Sequence, residues 1–427
     1  MTPSRPVVLF VTSSFPVGNA EAFLTDELRA LEDTLEIALA PVRPISGASP
    51  QDDSLARRAM IEPVWSAGTL AAVALTLLRR PGFALWAFRE ALGREGARLR
   101  SLGAVPKALW LTRRCANAGV SHVHAYWASN PATVACIVAR GLGVPWSLTA
   151  HRWDIYHAGS IARNSQDATF LRFISSRGAR DAVALGVPEQ KSYVIHLGID
   201  LNGRRVVPTR SRHEPLRLAC TANLQPVKGH EQLLRAVALI RRTRAVKLTL
   251  TGEGPERDRL LSLVDELGLQ ESVEFRGHVA HGSVLDELAS GGVDISVLAS
   301  RELAGNVHEG VPVSLLESMS FGIPVVATDT GSIGELLDRE SGLLVDDCDP
   351  EAFADAVLAL AEHPDAYARA SSYCRSRVEE RWSASRSASA LVDLLTLPGA
   401  CRSSDGAEGS GGGGDAHCHG DSVSKGC

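Results

Sequence analysis

Long apolar runs are missing from this 427-residue sequence. The nearest, Val64 to Leu78, stops at Arg79-Arg80, short of the roughly 18 to 20 residues that a bilayer-spanning helix needs. Met1 to Pro6 leads straight into the apolar Val7–Thr12, without the n-region, long apolar core and small-residue cleavage site of a secretion signal. The expectation is therefore a cytoplasmic protein. Aromatic residues are scarce, at 5%, and the formal net charge is only -5, which argues against a basic, base-stacking surface and so against a nucleic-acid partner. CxxC spacing is absent as well. The eight cysteines (Cys115, Cys136, Cys220, Cys348, Cys374, Cys401, Cys418 and Cys427) are scattered, so reduced thiols are expected rather than a disulfide framework or a zinc site.

What is present is ordinary for a globular chain, with 45% hydrophobic and 22% charged residues, and the length exceeds what one core normally organises. Val7–Val11 reads as a buried strand, followed by a Gly/Pro loop over Ser13–Asn19 and helical spacing through Phe23, Leu24, Leu28 and Leu31. Further βα units begin at Val120–Ala125, Trp146–Ala150 and Phe170–Ser175, with a short strand at Ser192–His196. After a polar, basic linker over Asn202–Glu214, strands are predicted at Leu216–Thr221, Lys247–Thr251, Val273–Arg276, Ile295–Leu298, Val325–Thr328 and Gly342–Val345. Alternating strands and helices imply two α/β, doubly wound domains with parallel sheets, whose ligands belong at the carboxyl ends of the strands and in the cleft between the domains. The expected division is 1–202, then 203–398 with closing C-terminal helices, then a disordered Gly-rich tail over 399–427. The Asp415-Ala-His-Cys-His run of that tail is read as flexible chain.

The most informative stretch is Glu309-Gly-Val-Pro-Val-Ser-Leu-Leu-Glu317. Pro312 suits a helix start, so Glu309 precedes the helix and Glu317 lies inside it. First-turn amides around Val313, Ser314 and Leu315 then offer an anion site for a diphosphate, flanked by two carboxylates able to accept from sugar hydroxyls. Taken alone, the same residues also fit one solvated glutamate and another stabilised by the helix dipole.

The stretch resembles the Glu-x7-Glu motif of glycosyltransferase family 4, the retaining GT-B enzymes, and the likeness runs over roughly residues 5 to 395. The resemblance implies that Glu309 faces the donor sugar and Glu317 holds the ribose, with Gly310, Val311, Pro312, Val313, Ser314 and Leu315 along the diphosphate. It continues through Gly331-Ser-Ile-Gly-Glu335 and Ser341-Gly-Leu-Leu-Val345. Thr251-Gly252-Glu-Gly-Pro255 is similar to the family's glycine turn, and Phe275-Arg-Gly-His278-Val279 to the segment whose backbone meets the base; plain tight turns fit both equally well. Asn223-Leu-Gln-Pro-Val-Lys228-Gly229 is similar to the family's Arg-Leu…Lys-Gly loop, with Lys228 matching as a diphosphate contact and Asn223 standing where the family has arginine. Leu148-Thr-Ala-His151-Arg-Trp-Asp154 and Ser121-His-Val-His124 resemble histidine segments of the exopolysaccharide, colanic-acid-type branch. His151 matches the histidine that approaches the donor sugar, and Gly18 lies in a loop, Pro16-Val-Gly18-Asn-Ala-Glu21-Ala-Phe, similar to one of that branch, where its backbone could approach phosphate or acceptor; a simple turn fits equally well.

The resemblance implies retaining transfer from a UDP- or GDP-linked sugar to a saccharide or lipid-linked acceptor, in exopolysaccharide or other cell-surface glycan synthesis, without cofactor or divalent metal. His151 and Glu309 are the expected catalytic residues. Asp347-Cys-Asp349 has Asp-x-Asp spacing but reads as a solvated turn. The rivals are an epimerase-like or phosphorylase enzyme on the same fold, and a weak or silent sugar-binding protein, which Asn223 makes plausible. Finally, residues 57 to 114 combine Leu85, Phe88, Leu92 and Leu99 with Arg57, Arg58, Arg79, Arg80, Arg89, Arg94, Arg98, Arg100, Lys107, Arg113 and Arg114 against only Glu62, Glu90 and Glu95. That pattern suggests a surface that touches an anionic membrane; the same residues also fit apolar faces packed on the N-terminal domain with solvated arginines.

Overall fold

A computed structural model describes residues 5–17, 21, 23–44, 53–93, 98–157, 161–207, 214–341, 343–346 and 349–397. Gly18, Arg94, Asp347 and the tail with its His-Cys-His run lie outside the described residues.

The chain forms two six-stranded sheets. The first contains β1 (Val7–Thr12), β2 (Glu36–Pro41), β3 (Val120–Tyr126), β4 (Trp146–Ala150), β5 (Leu171–Phe173) and β6 (Ser192–Val194), in the order β2-β1-β3-β4-β5-β6. The second contains β7 (Leu216–Thr221), β8 (Val246–Thr251), β9 (Val273–Gly277), β10 (Ile295–Leu298), β11 (Val325–Thr328) and β12 (Leu344–Val345), in the order β12-β11-β10-β7-β8-β9. Every pairing is parallel. Helices cover both faces, which is why central strands such as β4, β10 and β11 are buried at every residue instead of alternating. β2 escaped the sequence reading: it starts on an exposed glutamate, two of its six residues are alanine and the last is proline, and it lies at the sheet edge.

Each sheet reverses its winding at one place, between β1 and β3 in the first and between β7 and β10 in the second. The loops leaving those four strands therefore splay apart to open a crevice. The loop after β1 is tied by Glu21, whose carboxylate accepts from the amides of Ser14 and Phe15, both at 2.6 Å, and from the Trp127 indole N–H just past β3 at 2.5 Å.

The chain crosses between the domains twice, side by side. The Ile199 amide donates to Trp382 O and the Ala384 amide to Ile199 O, both at 2.9 Å. The crossings lie so close that a Cβ on Gly198 would fall 2.5 Å from Ala384 Cα, which requires glycine there. The last helix, Ala384–Thr396, then returns to the N-terminal domain, where Ala388, Leu391 and Leu395 pack with Leu24, Leu28 and Leu31. The division at 203–398 had grouped it with the C-terminal domain.

Beneath this layer, Arg172 and Glu27 form a fully buried ion pair, with Nη1 and Nη2 at 2.6 and 2.7 Å from the two carboxylate oxygens. Nε and Nη2 of the guanidinium also donate to Ile195 O and His196 O, both at 2.9 Å, and the Tyr126 hydroxyl donates to Glu27. Burial alone would raise the Glu27 carboxyl, but Arg172 and Tyr126 hold it below the usual range. Its contribution to stability is thus present above the unfolded-state value and is lost as pH falls. Glu27→Gln leaves a guanidinium buried without its counter-charge and should cost about 3 to 5 kcal/mol in urea unfolding; a loss below about 1 kcal/mol would contradict the pair's structural role.

Candidate active site

Glu309 lies on the connection from β10 to the helix Val313–Ser320. Its carboxylate is nearly buried and takes three donors: Lys228 Nζ at 2.6 Å and Ser300 Oγ at 3.0 Å on one oxygen, and the Gly310 amide at 3.1 Å on the other. Its carbonyl accepts from the Ser332 amide at 3.3 Å and meets His308 Nδ1 at 2.8 Å. A Cβ on Gly331, at φ +60°, would lie 1.9 Å from that carbonyl oxygen, so only glycine lets the loop after β11 close against it. Lys228 arrives from the loop after β7. Gly229, at φ +64°, turns that loop against β10, where a Cβ would strike Ala299 O at 1.6 Å.

Beside this ion pair is a cavity of about 810 Å³, a size suited to a substrate-sized ligand. The sequence-predicted residues Asn223, Lys228, Gly252, His278, Val279, Val313, Ser314 and Glu317 all line it. A Cβ on Gly252, at φ +142°, would sit 2.2 Å from Ala222 O, so the glycine turn is also a backbone close approach. Glu317 accepts from His281 Nε2 at 2.6 Å, and that hydrogen bond raises the imidazole above its ordinary value.

Pro312 caps the helix, one position before the expected first turn. Leu315 departs from the sequence reading: its amide already donates to Pro312 O at 3.1 Å and its side chain is in the core. The Val313 and Ser314 positions remain at the open end of the helix. Val311 likewise turns its side chain into the core, and the Gly310 amide is taken by Glu309 itself.

Thr25, Asp26 and Arg29 of the N-terminal helix Leu24–Leu31 also face the cavity, which the sequence reading missed. Their one signal is position, on the first helix after the β1 loop and opposite the second domain.

His151 follows β4 in the N-terminal domain. Its ring lies 4.3 Å from that of Trp127 and 5.3 Å from that of Phe23, and its buried Nε2 has no hydrogen-bond partner among the described residues. Burial, reinforced by Arg172 and opposed by Glu27, pushes the imidazole down to about 3. The Asp154 carboxylate accepts from the His151 amide at 3.1 Å, and burial lifts that carboxyl to about 7. His124, by contrast, spends both ring nitrogens on Ser147 and Thr149 at 2.7 and 2.9 Å, a satisfied core histidine.

The two halves of the site are joined directly. Arg152 Nη1 donates to Asn306 O at 2.9 Å, His308 Nε2 meets the Tyr156 hydroxyl at 3.1 Å, and Glu335 accepts from the Ser176 and Arg177 amides at 2.8 and 3.0 Å. Burial would raise Glu335, but His196 and those amides at a helix N-terminus bring it down to about 2. Of potential metal ligands, Glu90, Cys136 and Asp167 cluster among the described residues, but none lines the cleft cavity and Glu90 is already paired with Arg163 at 2.8 Å. Asp349 caps the helix Pro350–Glu362 through the amides of Glu351 and Ala352.

Two doubly wound domains with their switch points facing one cleft define the GT-B fold. The solved structure of Anabaena Alr3699/HepE in complex with UDP shares that fold, with a TM-score of 0.67 and 17% identity over 91% of this chain and 99% of that one. Residues 207–377 match the family described as Glycosyl transferases group 1, and the C-terminal domain belongs to it. WcaL of Escherichia coli (strain K12), named as a glycosyltransferase of colanic acid biosynthesis, is 31% identical over 180 residues, 42% of this chain and 44% of WcaL. The GDP-mannose-dependent alpha-(1-6)-phosphatidylinositol monomannoside mannosyltransferase of Mycobacterium tuberculosis (strain ATCC 25618 / H37Rv) is 30% identical over 260 residues, 57% of this chain and 66% of that protein. The chain thus spans about half the length of the first curated relatives it matches.

Since His151 is held neutral, it stays unprotonated across the working range; its stabilising effect is present above its unfolded value near 6.5 and is lost as pH falls toward 3. A pH profile of turnover should therefore show no limb due to His151 between about pH 5 and 8. An acidic limb in that interval that disappears in His151→Gln would contradict the placement.

Proposed function

We propose that the protein is a retaining glycosyltransferase that moves a sugar from a UDP- or GDP-linked donor to a saccharide or lipid-linked acceptor in the synthesis of a cell-surface glycan. The observation that carries this reading is the Lys228–Glu309 pair at 2.6 Å on the edge of a cavity that also holds Ser314 and Glu317. The matched relatives support it, being named as sugar transferases, one of them GDP-mannose-dependent.

In this reading the diphosphate occupies the cavity at the start of the helix Val313–Ser320, where Val313 and Ser314 present first-turn amides. Lys228 leaves Glu309 to bind it as a point charge. Glu317 holds the ribose hydroxyls and the glycine turn at Gly252, with His278 and Val279, lines the nucleoside. Glu309, released from Lys228 but still held by Ser300 and the Gly310 amide, orients the sugar hydroxyls. His151, neutral and with a free ring nitrogen, bonds the sugar from the opposite domain. The bond from anomeric carbon to diphosphate oxygen breaks, the departing oxygen takes the acceptor's hydroxyl proton, and the acceptor oxygen joins the carbon on the same face. Fixed amides and one lysine stabilise the developing charge, so the reaction runs without a divalent metal. The place of reaction is the inner face of the cytoplasmic membrane, where a lipid-linked acceptor is presented.

Glu309→Ala should lower kcat on the order of 10² to 10³-fold, whereas Glu317→Ala should chiefly weaken nucleotide binding. Near-wild-type kinetics in both would reject the assignment. Lys228→Ala should cost about 1.5 to 3 kcal/mol of diphosphate binding, and EDTA should leave turnover intact. An absolute requirement for magnesium or manganese would refute the proposed charge stabilisation.

A further inference from the structure

The N-terminal domain holds a second cavity, of about 430 Å³, where the helix pair Ala67–Arg79 and Pro81–Leu92 meets the ends of Arg98–Cys115 and Asn130–Leu142. Arg79, Arg80 and Arg113 line it together with Leu75, Phe83 and Leu142, and among the described residues no carboxylate does. The Arg80 guanidinium lies 4.9 Å from the Phe83 ring centroid and donates to Gly141 O at 3.3 Å, which fixes it at the rim. Arg79 and Arg113 are exposed.

Around this pocket the surface is unusually apolar. Of the 13 large apolar side chains exposed among the described residues, seven fall between Ile61 and Leu92. Leu70, Leu77 and Leu78 follow helical spacing on the first helix, and Leu85 and Leu92 do so on the second. Both stripes run to the corner at Leu78-Arg79-Arg80-Pro81, where Leu78 is 79% and Leu85 63% exposed. The basic surface is smaller than the sequence suggested. Lys107 is buried, donating to Met60 O at 3.0 Å and Glu62 O at 2.8 Å, with burial bringing it down to about 8; Arg58 pairs with Glu32, and Phe88 packs against the core. Of the residues named, Arg79, Arg80 and Arg113 meet at the corner.

We propose that this corner docks the protein on an anionic membrane, the arginine pocket taking the phosphate of a lipid headgroup while Leu77, Leu78 and Leu85 enter the acyl boundary. Charge complementarity selects the occupant: three arginines with no opposing acid among the described lining residues call for an anion, and the leucines beside them call for an apolar phase. An anionic lipid surface supplies both within a few ångströms. No described helix is long and apolar enough to cross a membrane. This deepens the reading of a lipid-linked acceptor above, without depending on the identity of the sugar.

The test is flotation of the full chain with phosphatidylglycerol-containing vesicles and with phosphatidylcholine vesicles, at low and high salt. The wild type should float with the anionic vesicles and weaken as salt screens the attraction. Arg79→Gln/Arg80→Gln/Arg113→Gln should lower partitioning on the order of 10²-fold, and Leu78→Gln/Leu85→Gln should remove the part that survives high salt. Both variants should bind UDP or GDP as the wild type does, which shows them folded. Absence of flotation, equal binding to neutral vesicles, an unaffected triple variant, retention of inorganic phosphate without vesicle binding, or self-association abolished by the same substitutions would each overturn the proposal. Vesicle binding by a protein that binds neither UDP nor GDP would leave docking standing and remove the donor reading instead.

Discussion

The contact between Lys228 and Glu309 organises the cleft, because each residue arrives from a different side of the switch point in the second sheet. The loops after β7 and β10 touch through backbone atoms at Gly229, and the loop after β11 closes on Glu309 at Gly331; neither position has room for a Cβ. Glu309 is therefore placed by main-chain packing before any side chain is considered. Its carboxylate then has three donors, of which Ser300 and the Gly310 amide belong to its own segment and Lys228 does not. An arrangement of this kind keeps a carboxylate fixed when one partner is exchanged for substrate, and fixed charges stabilise a transition state better than mobile ones.

The second domain alone does not complete the site. Thr25, Asp26 and Arg29, which face the cavity, come from the first domain, as does His151, whose buried Nε2 has no partner among the described residues and which is not among the residues that line that cavity. Their position relative to Glu309 depends on the paired crossings at Ile199 and Trp382 and on contacts made by Arg152, Tyr156 and the Ser176–Arg177 amides. Glu335 is central to that contact, since one carboxylate from the second domain serves the N-terminus of a first-domain helix. Two crossings beside each other permit rotation about one line, while the polar contacts at the cleft hold the present angle.

Much of this was legible in the sequence because strands covered on both faces read as short apolar runs, as β10 and β11 do, while β7 and β8 largely alternate apolar and polar residues. Glu309 and Glu317 stood out because Pro312 marks a helix start between them. What escaped depends on tertiary position. β2 carries too weak a pattern at an edge. Leu315 reads as a free first-turn amide, but the turn closes on Pro312. Lys107 counted as surface charge although its ammonium satisfies two buried carbonyls, and Thr25, Asp26 and Arg29 acquire meaning only when a second domain lies opposite. The helix Ala384–Thr396 is similar: its apolar spacing is plain, but nothing local says which domain receives it.

The central claim is that the cleft breaks a glycosyl–diphosphate bond and rebuilds the glycosidic bond on the same face. The most direct measurement follows the anomeric proton by NMR while the full-length protein, with EDTA present, is offered a panel of UDP- and GDP-sugars and a lipid-linked saccharide extract. The account predicts that one donor is consumed, its nucleoside diphosphate is released, and the new linkage carries the donor's anomeric configuration. Transfer with the opposite configuration, or the absence of transfer from every donor in the panel with or without added metal, would contradict it.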